Sequence, residues 1–334
     1  MATVKINGPH GSAWKYRTEV IFMIQPLVLS VINEVRKVIV GKDTIICKAL
    51  MAILAQGHIL LEDNPGMGKT SLALALARAM SLRFNRVQFT PETMPADVTG
   101  FSMYDQATGN FEYRPGAALC NLFLADEINR TSAKTQSALL EAMEEGQVTV
   151  DGVSHPLPRP YTVIATQNPF GSAGTQPLPE SQLDRFMMRL SIGYPEVAQE
   201  IKILKQTEGG RPIDLVEPVC TAQDLMEMQA ETGDVHVSDE LYQYVVDLCT
   251  ATREEPMLRI GASPRAGGAL IRACKASAWM AGRDFVIPSD IHLLFLNIME
   301  HRMVPSPQAT VSGSDVHGIL SKILKTVPAP KLVK

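Results

Sequence analysis

With 334 residues, 46% hydrophobic and 20% charged, the chain has material for two packed domains and is neither a disordered chain nor a coiled coil. A formal net charge of -4 and the lack of any long Lys/Arg run give no electrostatic support to a nucleic-acid partner. Five scattered cysteines (Cys47, Cys120, Cys220, Cys249 and Cys274) argue against a disulfide framework or a zinc site and read as buried small hydrophobes. No apolar stretch reaches transmembrane length; residues 22–40 come closest, but Gln25, Asn33, Glu34, Arg36 and Lys37 interrupt them. No cleavable signal pattern is visible at the start, so the expected location is the cytoplasm.

In chain order, residues 1–18 are polar and glycine-rich and read as a loose tail. Helices are predicted over 26–38 and 43–56, the second with Ile46, Leu50, Ile53 and Leu54 along one face. The most specific signal follows. The apolar run His58-Ile59-Leu60-Leu61 leads into Glu62-Asp63-Asn64-Pro65-Gly66-Met67-Gly68-Lys69-Thr70-Ser71, a strand, a glycine loop and a Lys-Thr pair opening a helix. Such a loop turns backbone N–H groups toward phosphates, while Lys69 reaches the β/γ oxygens and the Thr70 hydroxyl holds Mg²⁺. Asp63 stands where the usual pattern begins with glycine, which is expected to put a carboxylate near the anion site.

Five apolar segments, 58–61, 86–90, 121–125, 161–166 and 187–192, read as strands of one buried, mainly parallel sheet, with helices such as 70–80 and 133–145 between several of them. Two segments fall outside that core. One is an excursion over 97–114 carrying Phe101, Tyr104, Phe111 and Tyr113; the other is a hairpin over 146–158 turning at Asp151-Gly152. Beyond Tyr194-Pro195 the pattern is helical, through 196–204, 221–230, 238–251, 265–280 and 288–301. An α/β domain over 19–194, a smaller helical domain over 195–326 and a tail over 327–334 are expected.

The strand at 121–125 delivers two adjacent acids, Asp126 and Glu127. Asp126 suits Mg²⁺, and Glu127 can polarise a water toward the γ-phosphate. Asn168, just past the fourth strand, can orient that water. The plainer readings are a solvent-facing helix start for the acids and an Asx-turn before Pro169 for Asn168. Arg185, in Leu183-Asp184-Arg185-Phe186, can reach a nucleotide on a neighbouring subunit or pair locally with Asp184 or Glu180. Arg265, in Gly261-Ala262-Ser263-Pro264-Arg265, opens a helix and can contact the γ-phosphate across the domain cleft or lie on the surface. Gly41 and Lys42 can pack on the adenine base. Asn129, Arg130 and Arg114 suit a subunit face, and the isolated His155 and His236 read as structural or exposed.

Together these segments resemble the MoxR-type ATPases of the AAA+ superfamily, over about residues 31–305. The resemblance implies an α/β fold, a P-loop NTPase core with a mainly parallel five-stranded sheet followed by an all-helical lid. It makes Lys69 and Thr70 part of Walker A, Asp126 and Glu127 Walker B, Asn168 sensor 1, Arg265 sensor 2 and Arg185 an arginine finger. Asp63, Asn64, Pro65, Gly66, Met67, Gly68 and Ser71 would complete the ATP cradle. Residues 97–114 resemble the family's helix-2 insert and 146–158 its hairpin before sensor 1, both on the pore side of a ring. The resemblance further implies a homo-oligomer, a hexamer, hydrolysing ATP with Mg²⁺ to remodel or mature a protein client or to insert its metal or cofactor. That partner would commonly carry a von Willebrand factor A domain.

Two other classes stand beside this one. A DNA-directed motor or helicase loader needs basic or stacking residues on the excursions, which instead hold Asp97, Asp105, Glu112, Glu145 and Asp151. A nucleotide-gated scaffold with negligible turnover has no need of both Asp126 and Glu127. In the leading reading ATP lies between the two domains and changes their angle, so a hinge is expected there.

Overall fold

The computed structural model describes residues 25–167, 178–208 and 210–331. Helix α1 (Pro26–Arg36) begins on a proline, which loses nothing by lacking an N–H in the first turn, and buries Val28, Val31, Ile32 and Val35 along one face. Helix α2 (Asp43–Leu54) is buried continuously from Ala49 to Leu54. Strand β1 (Ile59–Glu62), helix α3 (Lys69–Ala79) and strand β2 (Phe84–Gln88) follow. The first excursion consists of a short helix α4 (Pro95–Thr99) and an antiparallel pair, β3 (Gly100–Asp105) with β4 (Asn110–Pro115). Then come β5 (Leu122–Asp126), α5 (Ala133–Glu145), the hairpin β6 (Gln147–Val150) with β7 (Val153–Pro156), β8 (Thr162–Gln167), α6 (Glu180–Leu183) and β9 (Met188–Leu190).

The predicted sheet is present. Its order is β2-β5-β8-β1-β9, and every pairing is parallel. Alternate side chains on each strand serve opposite faces. Ile59, Leu61, Leu122, Leu124 and Ile164 join one apolar cluster with α1, α2 and α3. Leu60, Phe123, Ala125, Val163 and Ala165 join another with α5 and the base of the two hairpins. Both faces are covered, which is why these strands read as unbroken apolar runs.

The remainder is helical, as expected: α7 (Val197–Glu208), α8 (Ala222–Asp234), α9 (Asp239–Glu254), α10 (Pro264–Met280), α11 (Pro288–Met299), α12 (Pro307–Ser312) and α13 (Val316–Thr326). A two-stranded pair, β10 (Leu258–Ile260) with β11 (Val304–Pro305), ties the loops between them. Ser263 caps α10 by accepting the Ala266 N–H, so Pro264 and Arg265 fall in its first turn. The helical region does not have a core of its own. Its Leu225, Leu241, Leu248, Leu270, Cys274 and Phe295 share one cluster with α1, α2 and one face of the sheet, and α2 packs against both α8 and α10.

Tyr113 of β4 stacks on His155 of β7, with ring centroids 3.6 Å apart and planes 11° from parallel. The two excursions therefore pack on each other, and His155 is a packing residue. All five cysteines are buried, and burial pushes the Cys47 and Cys120 thiols up to about 12. Among the described residues no helix is long and apolar enough to cross a membrane.

Candidate nucleotide site

The loop between β1 and α3 turns twice through left-handed backbone, at Gly66 and at Gly68, each with φ of +84°. Only glycine takes that conformation without strain, and the alternation curls successive N–H groups toward one side. Gly68 is the N-cap of α3, so Lys69, Thr70 and Ser71 form a first helical turn whose N–H groups have no acceptor within the helix. Asn64, Pro65 and Met67 complete the curve. Lys69 is 8% exposed and donates from Nζ to the Asp63 carbonyl, 2.5 Å away. Burial lowers its pKa, while the carboxylates of Asp63, Asp126, Glu127 and Glu62 act in the opposite direction. Two of those four acids are the Asp126-Glu127 pair brought in by β5.

Asp63 does something the sequence did not suggest. Its carboxylate accepts from Ser191 Oγ (2.7 Å), Ile192 N (2.6 Å) and Gly193 N (3.1 Å). It closes the exit of β9 onto the end of β1, leaving its carbonyl for Lys69. Asp63→Ala is expected to orphan two main-chain donors and destabilise the fold by about 2–4 kcal/mol, read as a lower midpoint in chemical unfolding. A midpoint unchanged from wild type would remove this structural role.

Asp126 and Glu127 are oriented by one hydroxyl. Thr166 Oγ1 on β8 donates to Asp126 Oδ1 (2.6 Å) and accepts the Glu127 N–H (2.9 Å). The other Asp126 oxygen, Oδ2, accepts from Arg86 Nη2 (2.7 Å) on the neighbouring edge strand β2. Glu127 has left-handed backbone, φ +57°, unusual for a residue with a side chain and a sign of a position held by its surroundings. Its carboxylate accepts from Arg130 Nη1 at 2.7 Å. Among the described residues no three His, Cys, Asp or Glu side chains are grouped to hold a metal by themselves. A buried carboxylate and a helix-start hydroxyl are oxygen donors that suit Mg²⁺ when phosphates supply the remaining oxygens. The donor set of Asp126 and Thr70 fits that ion.

The other predicted residues lie as follows. Gly41 is left-handed, φ +71°, and the Gln199 side chain of α7 fills the space beside it. Lys42 donates to the Tyr194 carbonyl (2.7 Å), so the Gly41-Lys42 turn is tied to the connection into the helical region. Arg185 and Arg265 both pair with one acid, Glu144 near the end of α5. The local partners considered for Arg185, Asp184 and Glu180, instead bind Arg302 and Arg259. Asn168 lies outside the described residues.

Comparison with known proteins gives the same direction. Residues 58–188 match the family described as ATPases associated with various cellular activities (AAA), and residues 250–320 match an AAA lid domain. Chaperone MoxR1 of Mycobacterium tuberculosis is 36% identical over 310 residues, covering 90% of this chain and 82% of the relative. The chain belongs to the MoxR family of AAA ATPases. YeaC of Bacillus subtilis is 46% identical over 92% of this chain and 96% of its own length. A solved structure from Cytophaga hutchinsonii, 39% identical, superposes with a TM-score of 0.85 over 91% of this chain and 95% of that one.

This MoxR-family ATPase carries site residues that sequence reasoning missed. Thr166, the last residue of the predicted strand 161–166, aligns both acids. Arg86 was read as the start of a strand, and its place beside Asp126 depends on β2 lying next to β5. Arg302 and Glu144 gave no signal, since each acts on residues more than forty positions away.

Proposed function

We propose that this ATPase works as a homo-oligomeric ring, a hexamer, in which each ATP is bound by one chain and completed by the next. The observation that carries this reading is the division of the charged groups. Lys69 feels Asp63, Asp126, Glu127 and Glu62, whereas Arg185 and Arg265 are both engaged by Glu144. The guanidiniums already at the site, Arg86 and Arg130, are taken up by Asp126 and Glu127, so one that stabilises charge on the transferring group is left to come from elsewhere.

In this scheme the residues 63–71 cradle the phosphates, and Gly41 and Lys42 flank the base. Thr70 and Asp126 would hold Mg²⁺, which would supply charge neutralisation of the phosphates. Glu127 positions and polarises the attacking water, with Asn168 beside it, and Arg185 reaches the nucleotide of the neighbouring chain. Arg265 senses the γ-phosphate from the helical region. The remodelled partner is a protein in the cytoplasm, of the class bearing a von Willebrand factor A domain, whose maturation or metal or cofactor loading consumes the ATP. Exposed apolar side chains on both faces of the β3–β4 hairpin support a protein client: Phe101 and Met103 lie on one side, Tyr104 and Phe111 on the other, Phe111 at 74% exposed. The same hairpin pairs its Arg114 with Glu112 and keeps little positive charge for a nucleic acid.

Mixing inactive chains tests the shared site. Lys69→Ala and Arg185→Ala are each expected to abolish hydrolysis alone. Mixed in equal amounts and allowed to exchange, they regain about a quarter of wild-type activity, since one junction in four then pairs an intact phosphate loop with an intact arginine. A mixture as inactive as its components would mean that each chain completes its own site.

A further inference from the structure

Glu144 is the next-to-last residue of α5, and Gly146 ends that helix in left-handed backbone. Its side chain is 36% exposed, and its two oxygens serve two different arginines: Oε2 pairs with Arg185 and Oε1 with Arg265. The arginines come from separate parts of the chain, one from the turn after α6 and one from the first turn of α10. Arg185 also donates to the Leu140 carbonyl (2.9 Å), which fixes it over the same end of α5. Arg265 sits at a helix start, where the aligned peptide dipoles disfavour a cation. Arg272 and Arg302 bring two more guanidiniums close enough for Arg265 to act on both. Against these four cations the cluster holds Glu144 and Asp184, so positive charge is in excess.

An ion pair at this exposure is weakly held, because water screens it and two long side chains must be ordered to make it. A phosphate group carries more charge and more acceptor oxygens than a carboxylate and binds a pair of guanidiniums more strongly. Glu144 therefore occupies the two arginines without committing them. We infer that Glu144 is an internal competitor for nucleotide phosphates, pairing with Arg185 and Arg265 in the lone chain and, when a ring junction closes, releasing Arg185 to the neighbouring chain's nucleotide and Arg265 to the γ-phosphate it senses. The inference rests on the shared-site reading above. It adds a role for an acid that belongs to none of the nucleotide-binding segments: Glu144 raises the concentration at which chains become active and keeps unassembled protein from presenting a free arginine pair.

Hydrolysis measured against total protein concentration, at saturating ATP and Mg²⁺, tests it. Glu144→Gln keeps the shape and removes the charge. It is expected to lower the half-maximal protein concentration about 3- to 10-fold while leaving the plateau rate within about twofold of wild type. Glu141→Gln, one turn earlier on the exposed face of α5, serves as the control and is expected to leave the curve in place. A Glu144→Gln curve that superposes on wild type overturns the inference. A lower plateau with an unchanged or raised half-maximal concentration also overturns it, because Glu144 would then be setting the arginines in their working positions. Arg185→Ala separates the two levels. If it reaches the wild-type plateau, the shared-site reading itself fails; if it is inactive while Glu144→Gln is indistinguishable from wild type, only the competitor role fails.

Discussion

Glu127→Gln is expected to retain ATP and to lose steady-state turnover by about 10²- to 10⁴-fold, the range over which a positioned general base contributes. The amide is nearly isosteric and leaves the backbone contact with Thr166 in place, so the left-handed turn at Glu127 survives. What it removes is the charge that the proposed role uses to draw a proton from water. Arg130 pairs with that charge at 2.7 Å, so on this proposal the carboxylate would have to swing from Arg130 toward the nucleotide. Phosphate release and retained nucleotide, measured on the same preparation, check the outcome. Wild-type phosphate release from the variant would end the assignment of Glu127 as the water-activating group.

The second large effect is expected at Arg302, a residue that touches none of the phosphate-binding segments. Its side chain is 3% exposed. It donates to Asp184 Oδ1 (2.8 Å), to the carbonyls of Phe186 (2.7 Å) and Met187 (3.2 Å), and to that of Ile298 within its own helical segment. A planar fork of donors is what can reach several acceptors at once from one stem. Arg302→Ala takes a donor from each of these acceptors, leaving Asp184 to Ser263 and the Phe186 carbonyl to His301, and opens a cavity. A loss of about 3–5 kcal/mol in unfolding free energy is expected, together with a drop in assembled ATPase activity, since residues 184–187 carry Arg185. Arg302→Lys is expected to recover little of either. Denaturant unfolding followed by tryptophan emission reads the first quantity; a change below about 1 kcal/mol would show that the buried guanidinium is not what secures this segment.

The sequence was readable wherever function is local. The phosphate loop lies within ten residues, and its glycines and helix start act on their immediate neighbours. The apolar strands were readable because burial on both faces leaves no polar interruption. By contrast, α13 is absent from the predicted helices although its pattern was legible: Val316, Ile319, Leu320, Ile323 and Leu324 recur at helical spacing behind the Asp315 cap. The pairings of Asp63 with 191–193, Arg86 with Asp126, and Glu144 with Arg185 and Arg265 are set by which strands and helices the fold makes neighbours. A one-dimensional pattern holds no record of such distances, and the Asp in place of the expected glycine reads there only as a carboxylate near the anion site, whereas the fold makes it a cross-strand tie.

The shared apolar cluster has a mechanical consequence. Because α8 and α10 rest on α2, and Arg189 bridges Glu62 at the end of β1 to Glu300 beyond α11, swinging the helical region would strip oil-like surface into water and break a doubly anchored cation. Bending each chain at its waist is thus a costly way to transmit the loss of a phosphate. In the proposed ring the compliant places would be the seams where one rigid protomer meets the next, so torque generated at a single seam would be handed around the circle by whole-body rocking.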